Sequence, residues 1–154
     1  MLAIIGCGNL NRSDDGVGVI IAQRLQQYLI QNPNSNVYAY DCGTGGIEVM
    51  FLARGCTKLI IIDASSTSSE PGAVYKVPGE ELEAVPNRSY SLHDFRWDNA
   101  IASGRQIFQD SFPEDVTVYL IEAACLNFGW ELSPAVQRAA DFVFEEIVKS
   151  LYVG

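Results

Sequence analysis

The sequence predicts an α/β protein: a three-layer, mostly parallel twisted sheet of about five strands with helices on both faces, in a single domain spanning residues 1–154. Three observations predict it. Short apolar runs opening at Leu2, Val37, Lys58, Ala73 and Val116 alternate with segments whose apolar residues recur at helical spacing. The run Leu59-Ile60-Ile61-Ile62 is apolar on both faces, as a strand covered from both sides must be. The chain, 154 residues of which 48% are hydrophobic and 19% charged, is long enough and apolar enough to bury one core.

The first run, Leu2 to Cys7, is a buried strand ending in the tight turn Gly6-Cys7-Gly8-Asn9. The helix after it carries Val17, Ile20, Ile21, Leu25, Tyr28 and Leu29 on one face. Ser13 is its expected N-cap, Asp14 and Asp15 its first turn, and Asn32-Pro33-Asn34 its stop. Val37 to Asp41 is a second strand, followed by a glycine-rich turn from Gly43 to Gly46. Ile47 to Arg54 is a short helix closed by Gly55 at the C′ position. Lys58 to Asp63 is the central strand, Ser65 to Gly72 a polar loop, and Ala73 to Pro78 a weaker strand of edge type.

Glu80 to Ser91 reads as irregular, with room for one helical turn. Ser91 with Asp94 resembles a capping box and predicts a helix as far as Phe108, with Trp97, Ile101, Gly104 and Phe108 on one face. Val116 to Glu122 is the last strand. Ser133-Pro134 is an N-cap and first helical residue, and the closing helix buries Val136, Ala139, Ala140, Val143 and Ile147.

Charge and cysteine usage narrow the function. A formal net charge of −9 repels nucleic acid and anionic membrane surfaces. No apolar run approaches the roughly 20 residues that span a bilayer, and Met1 to Cys7 lacks the basic start of a signal peptide. The expectation is a cytoplasmic protein whose cysteines, Cys7, Cys42, Cys56 and Cys125, are reduced thiols. None forms a C-x-x-C pair, so no zinc framework is present.

In parallel sheets ligands bind outside the carboxyl ends of the strands, which places the site at the loops after Cys7, Asp41 and Asp63. Asp63 ends the most apolar strand, where a carboxylate is costly unless it meets a cation, a donor or solvent. A polar strand end capping a nearby loop explains it equally well. Helix N-terminal charge accounts for one of Asp14 and Asp15 but not comfortably for both, since adjacent carboxylates repel. Asp14 is read as a local cap and Asp15 as facing the site.

His93 is the only histidine. A lone histidine is more often a satisfied surface residue, but this one follows a loop long enough to return to the sheet's carboxyl edge. Asp15, Asp63 and His93 together offer two oxygens and one nitrogen, a set that suits nickel, zinc or a similar divalent ion with positions left open. A dinucleotide site built on Gly6-x-Gly8 and Asp41 is rejected, because the third glycine is Asn11 and the acidic turn would repel a pyrophosphate. No G-x-S-x-G occurs. Cys7 or Cys42 paired with His93, or a serine between Ser65 and Ser69, stays open as a nucleophile.

These segments resemble a known family. Gly6-Cys7-Gly8-Asn9 with Asp14-Asp15-Gly16 and Gly18 is similar to the opening motif of the nickel–iron hydrogenase maturation proteases. Asp41-Cys42-Gly43-Thr44-Gly45-Gly46, Leu59 to Ala64, Ser91-Leu92-His93 and Leu132 to Val136 resemble that family's later segments, in order and with similar spacing. The resemblance implies the fold shared with phosphorylase-like proteins. It also implies an endopeptidase that removes the C-terminal extension of the hydrogenase large-subunit precursor once nickel is inserted.

By the same resemblance Asp15, Asp63 and His93 are the catalytic and nickel-contacting residues, and Gly8, Asn9, Asp14, Asp41, Gly43 and Thr44 bind substrate. Asp15 is one methylene shorter than the glutamate of some members, and Cys42 stands where glycine is frequent. The nickel arrives with the precursor, no resident cofactor is expected, and the protein acts as a monomer without nucleic acid or membrane. Two other readings stand beside this one. One is a non-catalytic nickel-checking module. The other is a nucleoside phosphorylase or hydrolase on a similar fold, for which Arg12 would have to contact phosphate.

Overall fold

The structure, a computed structural model, describes residues 1–83 and 97–152. Its centre is a five-stranded sheet in the order β2-β1-β3-β5-β4. The strands are β1 (Leu2–Cys7), β2 (Val37–Gly43), β3 (Lys58–Ser65), β4 (Val74–Pro78) and β5 (Asp115–Glu122). All neighbours run parallel except β4, which pairs antiparallel with β5 at the edge.

Alternation along each strand divides the core between two faces. Ile4, Ile60, Ile62 and Ile121 pack with the apolar stripes of α1 (Val17–Gln31) and α5 (Pro134–Ser150). Ala3, Ile5, Leu59, Ile61 and Val118 pack on the other side with α2 (Gly46–Ala53) and α4 (Trp97–Phe108). The three layers follow from residues apolar in both directions. The stripe Val136, Ala139, Ala140, Val143 and Ile147 is the buried face of α5, as its spacing predicts. A single helical turn, α3 (Gly79–Glu83), follows β4.

Several ends differ from the sequence reading. β2 runs on to Gly43, which pairs with Cys7 across a bulge, and β3 runs on to Ser65, which pairs with Glu122. Asp63 therefore lies inside its strand. Ser13 is not an N-cap. It has φ +50 in a 3-10 turn, Ser13–Gly16, that holds Asp14 and Asp15, and α1 begins after Gly16 without a side-chain cap. Gly55 does adopt a positive φ of +85, but its N–H donates to Ser111 O at 2.6 Å rather than to its own helix. The capping box of Ser91 and Asp94 lies outside the described residues.

Two connections locate the site. From β1 the chain leaves through α1 to β2 on one side. From β2 it crosses through α2, on the opposite face, to β3 on the other side of β1. The carboxyl ends of β1 and β3 therefore form a topological switch point, where neighbouring loops diverge and leave a crevice.

Candidate functional site

At this edge α1 starts tight against the strand ends. A Cβ on Gly18 would overlap the Ile62 carbonyl and lie 2.6 Å from Cys7 O, so only glycine allows this approach. Gly8, with φ +134, lies against the Asp15 carbonyl and turns the chain back over it. The next amide, Asn9 N, then donates to Asp15 Oδ2 at 3.0 Å. Asp15 is thereby held half-buried at the carboxyl edge by one of its oxygens.

Its neighbour Asp14 points the opposite way. Asp14 is fully buried and accepts four hydrogen bonds. They come from Ala124 N at 2.8 Å, Cys125 N at 2.9 Å, Ser133 N at 2.8 Å and Ser133 Oγ at 2.7 Å. Burial pushes its pKa up, but the bonds from Ser133, Cys125 and Ala124 outweigh it and leave the carboxyl below its ordinary value. The expectation that Asp14 binds substrate is corrected here: its lone pairs are used and no surface remains to touch. Ser133 does occupy the N-cap position before Pro134, yet its hydroxyl serves Asp14 and not the helix.

Asp63 is 4% exposed on the α2/α4 face of β3. Its Oδ1 accepts from Ala64 N at 2.8 Å and its Oδ2 from the indole Nε1 of Trp97 at 2.8 Å. These two donors satisfy a polar side chain that burial would otherwise leave at a cost. Trp97 reads in sequence only as part of an apolar helix face. The available signal was chemical, since a buried tryptophan N–H needs an acceptor.

Beside Asp15 the turns after β1 and β2 enclose a cavity of about 210 Å³ lined by Gly8, Asn9, Leu10, Val19, Asp41, Gly43 and Thr44. All the sequence-predicted substrate residues except Asp14 are brought together there. Asp41 is exposed and accepts from Gln23 Nε2 at 3.0 Å. Cys42 turns away into the core at 8% exposure. Burial first, then the charges of Glu48 and Asp41, push its thiol up to about 12. It is a poor thiolate nucleophile at neutral pH.

His93 lies outside the described residues, and among those described no cluster of three metal-ligating side chains occurs. Arg12, the phosphate contact of the nucleoside reading, donates Nε to Leu126 O at 3.2 Å. A further buried carboxylate, Glu122, went unnoticed in the sequence. It accepts Thr67 N at 3.0 Å with each oxygen and so clamps the β3–β4 loop to the end of β5.

Carboxylates at the carboxyl edge of a three-layer, mostly parallel sheet, with a cavity alongside, mark the candidate site of an α/β protein. The model of the family described as hydrogenase maturation protease matches residues 19–150, and the chain belongs to that family. Hydrogenase 2 maturation protease of Escherichia coli is 26% identical over 152 residues, covering 97% of this chain and 90% of that one. Coenzyme F420 hydrogenase subunit delta of Methanothermobacter thermautotrophicus is 30% identical over 159 residues, covering 95% and 94%.

The solved hydrogenase maturating endopeptidase HybD from Escherichia coli superposes with a TM-score of 0.81 at 25% identity, covering 97% of this chain and 91% of that one. The chain spans less of two further relatives: 60% of a Methanocaldococcus jannaschii protein and 61% of HupD of Thiocapsa roseopersicina.

Proposed function

We propose that this protein is the endopeptidase that removes the C-terminal extension of a nickel–iron hydrogenase large-subunit precursor after nickel insertion, and that it recognises the substrate-borne nickel. The observation that supports the reading is the placement of Asp15, in the turn after β1, and Asp63, near the end of β3, at the carboxyl edge of one sheet, with a cavity beside the β1 turn, in a chain of this family. Asp15, Asp63 and His93 contact the nickel, which the precursor holds largely with its own thiolates. The cavity under Gly8, Asn9, Asp41, Gly43 and Thr44 receives the start of the extension.

Peptide hydrolysis needs a water at the scissile carbonyl carbon and a proton for the departing amine. Asp15, anchored by one oxygen, takes the water's proton and returns it to the amine. Asp63, oriented by Trp97 and Ala64, presents its carboxyl group toward the metal. The precursor's nickel polarises the carbonyl. The proposed setting is the cytoplasm, with the protein acting as a monomer; no helix among the described residues is long and apolar enough to cross a membrane.

The test is to mix the purified protein with nickel-loaded and nickel-free precursor and weigh the products. Loss of a C-terminal peptide from the loaded form alone supports the reading. One relative is named as a hydrogenase subunit, which favours keeping the nickel-checking module as a second reading. That reading predicts stable binding without a shortened product.

A further inference from the structure

Between β5 and α5 the chain displays two aromatic rings in solvent: Phe128 is 91% exposed and Trp130 79%. The loop that carries them is not slack. Asp14 takes the N–H groups of Ala124, Cys125 and Ser133 at its two ends. Ser13 N donates to Gly129 O at 2.8 Å, and Gly129 N to Asn11 O at 2.9 Å. Ser13 Oγ donates to Asn127 O at 2.8 Å, and Trp130 Nε1 to Asn11 Oδ1 at 3.1 Å. The backbone is thus tied along its length to the 9–14 turn while both rings face water.

Large aromatics held rigidly in water are unfavourable for an isolated molecule, and they are the residues that anchor protein interfaces once covered. Fixing them in advance lowers the ordering cost of association. The surface is also continuous with the candidate site. Leu10, 37% exposed, lines the cavity with Gly8 and Asn9, and the next residue, Asn11, holds Trp130. A protein whose C-terminal segment enters that cavity must rest its folded body on the neighbouring loop.

We propose that the Phe128-Gly129-Trp130 loop is the docking surface for the folded body of the substrate protein, engaging an apolar patch beside the segment to be removed. This rests on the endopeptidase reading for the occupant's identity. The local anchor explains how a turn can present both Asp15 and the docking rings: Asp14, buried between them, ties the two together.

The experiment measures processing of nickel-loaded precursor over a range of concentrations by the wild type, by the double variant Phe128→Ser with Trp130→Ser, and by Trp130→Tyr. The expected result is a KM raised about tenfold or more in the double variant, little change in kcat, an unaltered melting temperature, and substantial recovery in Trp130→Tyr. An unchanged KM, or a loss confined to kcat, overturns the proposal. So does a wild-type dimer in sedimentation that becomes monomeric in the double variant, since the patch would then serve a second copy.

A parallel measurement separates this proposal from the functional reading. Protein labelled with 5-fluorotryptophan gives a resonance for Trp130 that should shift and broaden when precursor is added. A shift without cleavage leaves docking standing and sinks the endopeptidase reading. Cleavage without a shift sinks docking alone, and neither response sinks both.

Discussion

The indole Nε1 of Trp97 donates to Asp63 Oδ2 at 2.8 Å, joining the first turn of α4 to a carboxylate inside β3. The two residues are 34 apart in sequence, and the bond fixes which way the carboxylate faces. Ala64 N holds the other oxygen at 2.8 Å.

Trp97→Phe keeps most of the packing and removes the donor. The expected loss of stability is about 1.5–3 kcal/mol, the range for a hydrogen bond to a charged group. If the proposed function holds, precursor processing should fall in kcat with KM little changed, because the carboxylate is misaimed while the cavity and the Phe128–Trp130 loop are untouched. Urea unfolding and steady-state kinetics on the same preparation check both parts. A variant as active as the wild type would make the bond purely structural.

Local and long-range information account for what could be read in advance. The layers follow from alternation within strands and helical spacing within α1 and α5, so Ile4, Ile5, Ile60 and Ile61 were assignable to a core from neighbours alone. Strand ends were not, because Ser65 stays in β3 only through its partner Glu122, more than fifty residues on. The partners of the serine hydroxyls were hidden for the same reason: Ser13 Oγ donates to Asn127 O, 114 residues on. Ser133 is a good cap by local rules, but a buried carboxylate 119 residues earlier needs its hydroxyl.

At the site, the glycine turns were enough to bring Gly8, Asn9, Asp41, Gly43 and Thr44 to one cavity, and the strand ends placed Asp15 and Asp63 at the carboxyl edge. The partner of Asp63 was hidden because an indole on an apolar stripe looks like any other core side chain. Nothing about local pattern marked Phe128 and Trp130 as surface residues.

Asp14 joins the start of the chain to the loop before α5. Asp14→Asn keeps one oxygen, which can still accept from Ala124 N, Cys125 N and Ser133 Oγ, but it sets its NH₂ against the N–H of Ser133. A buried donor left without an acceptor costs about 1–3 kcal/mol, so this variant should lose on the order of 1–3 kcal/mol. Circular dichroism melting checks the loss, and amide exchange should show it concentrated in residues 123–133. A melting temperature within a degree or so of wild type would mean the carboxylate is not the anchor.

Cys42 gives a prediction in alkali. In the unfolded chain its thiol titrates near 9.0, whereas in the fold burial and the charges of Glu48 and Asp41 push it up to about 12. The neutral thiol is the form the fold prefers. Its contribution is therefore full below pH 9 and is lost as pH rises toward about 12. The stability gap between wild type and Cys42→Ala should shrink across that window, as read from denaturant midpoints. Cys42→Ala should also process precursor normally, since the thiol faces the core. Loss of processing with the fold intact would instead revive a cysteine nucleophile paired with His93.

Asp15 should behave in the opposite way to its neighbour. It is half-buried, and its contact among the described residues is the single bond from Asn9 N. Asp15→Asn keeps an oxygen to accept that bond, so folding stability should change by less than about 1 kcal/mol. The charge and the proton-accepting group are gone, however, and cleavage of nickel-loaded precursor should be abolished. Asp15→Glu retains both with a reach longer by one methylene, and should recover part of the activity. Asp14→Asn thus loses stability first and Asp15→Asn loses turnover alone. Thermal melting and product mass, measured side by side, distinguish the two. Normal cleavage by Asp15→Asn would remove Asp15 from the catalytic role and leave the proton transfer to Asp63 or His93.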